Sequence, residues 1–159
     1  MNYFELFEIP VSLKIDKQLL SKNYIELQKK YHPDFHTQST EDEQGDALER
    51  SSTINKALKV FKNEDETIKY VLQLKGLLEE EEKYALPPDF LMEMMELNES
   101  EPASSKLQAT SYADELYNEV KNIIESYNDA TVSKDVLLKL KEYYYKKKYL
   151  RRILDRTDG

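Results

Sequence analysis

Leu20, Tyr24, Leu27 and Tyr31 recur at steps of four, three and four residues, and the series stops at Pro33. At about 100° per residue these side chains form one narrow stripe, the pattern of a helix with a single buried face. Asp16 is placed to cap its start, and the helix must end near His32, because proline disfavours helical backbone in the residue before it. Lys22 and Lys29 fall about 180° from the stripe, on the solvent side, with Lys30 flanking them. Such a helix needs a partner on one side and presents a basic face on the other.

The partner is expected from about Glu41 to Lys62, burying Ala47, Ile54, Leu58 and Phe61 and running antiparallel across a polar loop, which makes a helical hairpin. Before it, Tyr3 to Phe7 suits a short helix stopped by Pro10. After it, Asn63 with Glu66 has the form of a helix start, and Ile68, Val71, Leu72 and Leu74 lead to Gly76, where a helix can end. With only 3 Gly and 5 Pro in 159 residues and 34% charged side chains, the chain reads as all-α throughout.

The acidic run Glu79 to Glu82 followed by Pro87-Pro88 marks the expected boundary, giving domains at 1–76 and 89–159 with a linker at 77–88. Three helices are expected beyond it, about Asp89 to Asn98, Ser104 to Tyr127 and Ser133 to Arg156. The second carries Ala113, Leu116, Val120, Ile123 and Tyr127 on one stripe, and the third Val136, Leu140, Tyr143, Leu150 and Leu154. This spacing predicts a small antiparallel three-helix bundle. In its first helix Phe90, Met94 and Leu97 share a core face with Leu91 at the edge, while Met92 projects nearly opposite and Met95 lies on the flank beside Glu96 and Glu99. That is more apolar surface than one core stripe requires, and an exposed methionine patch bordered by carboxylates suits an adaptable partner surface.

Several function classes are disfavoured by composition. The absence of cysteine excludes a disulfide framework, a thiolate zinc site, a thiol nucleophile and a Cys-ligated cluster of the chain's own. A net charge of −8, split as −2 over residues 1–76 and −6 over 77–159, argues against a duplex nucleic-acid binder. The segment from Met1 to Phe7 lacks the basic and apolar regions of a signal peptide, and no uncharged run approaches the roughly 18 residues of a membrane helix, so a cytoplasmic protein with no membrane partner is expected.

His32-Pro33-Asp34 has no evident packing role in a loop, and loop residues on rigid scaffolds are often functional. His32, Asp34 and His36 lie within five residues and could be read as ligands of a metal-dependent enzyme. Pro33 prevents the helical spacing that would converge the two histidines, and the chain has no third. Neither a cofactor nor a resident metal is expected.

Residues 1 to 76 resemble a J-domain: Asn2-Tyr3-Phe4-Glu5-Leu6-Phe7, the lysine-bearing helix, Tyr31-His32-Pro33-Asp34 and Ile54-Asn55-Lys56-Ala57-Leu58 all fit. Asp89-Phe90-Leu91-Met92-Glu93-Met94-Met95-Glu96-Leu97 closely resembles the segment opening the C-terminal bundle of HscB-type co-chaperones of iron-sulfur cluster assembly. This resemblance implies a non-enzymatic adaptor in which His32, Pro33 and Asp34, with Lys22, Lys29 and Lys30, engage a DnaK/HscA-type chaperone and stimulate its ATPase. It further implies that Leu91, Met92, Met95, Glu96 and Glu99 receive the scaffold protein IscU. The family also places an aromatic on the last helix near the scaffold. The run Tyr143-Tyr144-Tyr145 leaves the match open, and Tyr144, which with Leu137 flanks the core stripe, is the choice here. Many J-domains follow the tripeptide with a lysine, whereas this chain has Phe35. The alternative within the same class is a J-domain co-chaperone whose bundle takes a different client.

Overall fold

The computed structural model describes residues 1–158, with side chains through Arg156, so Gly159 of the expected bundle lies outside them. Seven α-helices and one 3-10 turn occur among the described residues: α1 (Tyr3–Phe7), α2 (Lys17–Tyr31), the turn Pro33–Phe35, α3 (Glu41–Phe61), α4 (Glu64–Leu74), α5 (Pro88–Glu99), α6 (Pro102–Glu125) and α7 (Lys134–Asp158). The all-α expectation is met. Two compact units are present, Met1–Tyr70 and Val71–Gly159.

In the first unit α2 and α3 form the expected hairpin. Asp16 caps α2, its carboxylate accepting from the backbone N–H groups of Gln18 and Leu19 at 2.9 and 3.1 Å. α3 opens with a capping box, the Thr40 hydroxyl accepting from Glu43 N–H at 3.2 Å while the Glu43 side chain reaches back to Thr40 N–H. Between the two helices Asn55 accepts from the Tyr24 hydroxyl and from Gln28, each at 3.0 Å, and Ser51 donates to Gln28 at 3.3 Å. α1 lies against α3 through its aromatic rings, with Phe4 and Phe7 at 4.9 and 5.4 Å from Phe61. Tyr3 stacks on Tyr70 at 4.6 Å and donates its N–H to that hydroxyl. This aromatic cover turns the α3 core toward Ala57, which is fully buried, and leaves Leu58 only half-buried, where burial of Leu58 was expected.

Asn63 caps α4 by accepting from Glu66 N–H at 3.0 Å, as its position predicts. The helix closes at Gly76, whose φ of 72° lets Leu77 N–H bond the Leu72 carbonyl at 2.9 Å. The unit division falls within α4, six residues before the expected end of the first domain.

In the second unit α5, α6 and α7 form a bundle, with Phe90, Met94, Leu97, Leu116, Val120, Ile124, Leu140 and Leu150 in its core. The buried face of α6 runs through Ser105, Ala109, Leu116, Val120 and Ile124, whereas Ala113 and Ile123 of the expected stripe are half-buried. Two small residues, Ser105 and Ala109, are buried in the first half of α6, where short side chains let helices approach.

Residues 77–88 form a strap on the bundle, not a free linker. Leu78 is buried, Glu82 meets Lys141 of α7 at 2.6 Å, and Tyr84 stacks on Tyr145 of α7 at 4.5 Å. Just before the strap, Lys75 meets Asp129 at 2.8 Å, and the Tyr127 hydroxyl donates to the same carboxylate at 2.8 Å.

Candidate functional site

Two surfaces carry the residues singled out by sequence, one on each unit. The first begins where α2 ends. His32 takes an extended conformation, φ −62° and ψ 135°, because Pro33 follows it, and its N–H still closes the helix onto the Gln28 carbonyl at 2.7 Å. Pro33 then starts the 3-10 turn, where a missing N–H costs nothing. The His32 Nδ1 accepts from the Asp34 N–H at 3.2 Å. In the neutral ring this places the proton on Nε2, an assignment made from the hydrogen bond. The Asp34 carboxylate lies 3.6 Å from Nδ1, too far for a hydrogen bond, and projects into solvent.

The loop behind the tripeptide is tied down. His36 Nε2 lies 2.8 Å from the Lys30 carbonyl, and the Gln44 amide donates to the carbonyls of His36, Thr37 and Ser39 at 3.0, 3.2 and 3.2 Å. These bonds, with the Thr40 cap, hold the turn against both helices of the hairpin. Lys22, Lys29 and Lys30 are exposed on α2, and the Lys30 ammonium also lies 5.2 Å from the Tyr31 ring centre. The first surface therefore joins a basic helix face to a fixed, accessible His-Pro-Asp turn. His36 is engaged with main chain, and no group of three or more His, Asp or Glu among the described residues is placed to hold a metal ion.

The second surface is the outer face of α5. Phe90, Met94 and Leu97 are buried beneath it, and Leu91 is half-buried at its edge. Met92 is 63% exposed and Met95 60%, with Glu96 and Glu99 exposed beside them. At about 100° per residue Met92, Met95, Glu96 and Glu99 span about 100° of the helix, so they form a single patch. One flank is fixed by Glu93, which hydrogen-bonds the Tyr112 hydroxyl; burial together with this carboxylate pushes Tyr112 up to about 12.

Tyr144 does not join this patch. It is 7% exposed and, with Leu137, belongs to the core. The strap explains the difference: Glu82 and Tyr84 cover the Lys141 and Tyr145 side of α7, and Leu137 and Tyr144 lie between that side and the Leu140 stripe. The α7 tyrosine that meets an α5 ring is Tyr149, half-buried and edge-on to Phe90 at 6.0 Å. Arg156, seven residues on and on the same α7 face, bonds Asn98 at 3.3 Å, and Asn98 is seven residues from Leu91 on one α5 face. Tyr149 thus stands on the Leu91 flank of the patch. Sequence reasoning passed over it because it follows the basic run Lys146 to Lys148; its seven-residue spacing from Arg156 was the available signal.

No helix among the described residues is long and apolar enough to cross a membrane. A family model described as the HSCB C-terminal oligomerisation domain matches residues 86–158. A co-chaperone protein HscB homolog of Vibrio cholerae is 38% identical over 100 residues, 62% of this chain and 58% of that protein, so the match spans less than two thirds of its length. The homolog of Vibrio parahaemolyticus is 32% identical over 139 residues, 81% of each chain. Among solved structures, chaperone HscB from Vibrio cholerae shares the fold with a TM-score of 0.76 at 24% identity, covering 99% of this chain and 96% of that one. Human co-chaperone protein HscB superposes with a TM-score of 0.81 at 25% identity, covering 99% and 81%. A J-domain hairpin followed by a C-terminal helical bundle, matched over four fifths of a relative's length, makes this chain a member of the HscB co-chaperone family.

Proposed function

We propose that this protein is a non-enzymatic co-chaperone that stimulates the ATPase of a DnaK/HscA-type chaperone and delivers an IscU-type cluster scaffold to it in the cytoplasm. The observation that carries this reading is the pairing, in one chain, of a His32-Pro33-Asp34 turn, half-buried at His32 and Pro33 and exposed at Asp34, behind a lysine face with an exposed Met92/Met95/Glu96/Glu99 patch. The two surfaces suit different tasks. Exposed lysines steer an acidic partner at long range, while a turn with a fixed backbone makes the position-specific contacts that favour one conformation of that partner. Pliable methionines with bordering carboxylates, Leu91 at the edge and Tyr149 on the flank, fit a protein client. Tyr144 has no part in that contact.

The decisive experiment titrates scaffold into a chaperone ATPase assay with and without this protein. His32→Gln is expected to abolish stimulation with helical circular dichroism and melting unchanged, since the side chain is 43% exposed and its hydrogen bond, from Asp34 N–H, is local to the turn. Stimulation that survives would sink the reading. Combined alanine changes at Met92, Met95 and Glu96 are expected to weaken scaffold binding by about a hundredfold while stimulation by the free protein persists. Retained scaffold binding would leave a co-chaperone with another client.

A further inference from the structure

Phe35 follows the tripeptide directly, at the position where many J-domains carry lysine. Its backbone is fixed: its N–H donates to the His32 carbonyl at 3.0 Å, and the next N–H, of His36, donates to the Pro33 carbonyl at 3.0 Å. Its ring is nevertheless 66% exposed and meets the His32 ring edge-on, with centres 6.2 Å apart. Burying a phenyl ring stabilises a fold, and here the fold forgoes most of that gain. Met1, Ile25 and Leu48 are the other large exposed apolar residues before residue 70; Phe35 is the aromatic one and the one that adjoins the tripeptide.

We propose that Phe35 is an affinity-determining residue of the chaperone interface, its ring burying in an apolar depression of the partner ATPase beside the point that His32 contacts. The inference rests on the reading of His32-Pro33-Asp34 as the chaperone contact. Aromatic side chains carry a disproportionate share of interface energy. An anchor whose backbone is already ordered loses little conformational freedom on binding. The surrounding charges supply a different component of binding. Exposed Lys22, Lys29 and Lys30 speed encounter with an acidic surface but hold it weakly, because salt screens them. A lysine at position 35 would strengthen that steering; a phenyl ring there prolongs residence instead. The partner surface is therefore acidic with an apolar depression in it, and docking by this chain resists salt more than docking by a J-domain with lysine at that position.

The test titrates the intact 159-residue chain into a purified DnaK-type chaperone with ATP, at low and high salt, and reads half-saturation and maximal stimulation separately. Phe35→Ala is expected to raise the half-saturating concentration by about tenfold or more with the maximum retained. Phe35→Leu, which keeps apolar bulk, should stay within about threefold of the parent. Phe35→Lys should recover part of the affinity at low salt and lose it at high salt. Wild-type half-saturation for Phe35→Ala overturns the inference. So does a loss confined to maximal stimulation, which would make the ring a prop for His32, and so does equal loss in the Ala and Leu variants. His32→Gln in parallel separates the two levels: if it stimulates like the parent, the chaperone reading has failed, whereas an inert His32→Gln beside an unaffected Phe35→Ala removes the anchor alone.

Discussion

Tyr144 and Tyr149 stand five residues apart on α7 and have different neighbours. Tyr144 meets Tyr145 edge-on at 5.2 Å inside the second unit, and truncating a buried aromatic removes both its transfer free energy and its packing. Tyr144→Ala is expected to destabilise the protein by about 3 kcal/mol in urea unfolding. Tyr149→Ala, at a half-buried site beside α5, should change the midpoint little and weaken scaffold binding about tenfold in a direct titration. The reverse assignment would return Tyr144 to the scaffold contact. Single residues also show what sequence can and cannot convey. Asp16 and Asn63 cap helices through bonds three residues long or less, so their roles were legible from local sequence, whereas the equally local Thr40 capping box was passed over. Tyr144 depended on Tyr84 and Tyr145 meeting across sixty-one positions, and no periodicity within α7 contains that fact.

At the scale of elements, helices were the most legible level, because a 3.6-residue period and its proline stops are local properties. The hairpin, Gly76 as the end of α4 and the exposed methionine face of α5 all follow from that period. The strap at 77–88 has no period, and its acidic and proline-bearing composition read as a linker; it is held by Leu78 and by pairings with α7. Its ion pair gives a pH dependence. The hydrogen bond from Lys141 holds the Glu82 carboxyl below the usual carboxylate range. At Asp129 burial opposes ionisation, yet hydrogen bonds from Lys75 and Tyr127 outweigh it, and the net shift is also downward. Carboxyls depressed in the folded state stabilise it fully above their unfolded values and lose that contribution as pH falls through the folded ones. Thermal melting should therefore be nearly flat from neutral pH to about pH 5 and fall below it. Glu82→Gln should remove part of that slope; a slope unchanged in the variant would mean that the Lys141 contact adds no stability.

At the scale of the whole molecule, the chain carries its two kinds of surface on two units, and most of its sulfur falls on the second, with Met1 alone on the first. It has no cysteine and four methionines, three of which, Met92, Met94 and Met95, fall on α5. Met94 is fully buried, while Met92 and Met95 face solvent, and the His32-Pro33-Asp34 turn contains no sulfur. Adding oxygen to a thioether turns a pliable apolar side chain into a polar one, and accessibility decides which side chain reacts first. Dilute peroxide should therefore convert Met92 and Met95 to sulfoxides before Met94, as peptide mass spectrometry would show, and weaken scaffold binding while chaperone stimulation persists. Equal reaction at Met94 would mean that α5 opens in solution. With no thiol to react first, peroxide meets the exposed thioethers of Met1, Met92 and Met95, and two of these three lie on the face proposed to receive the client.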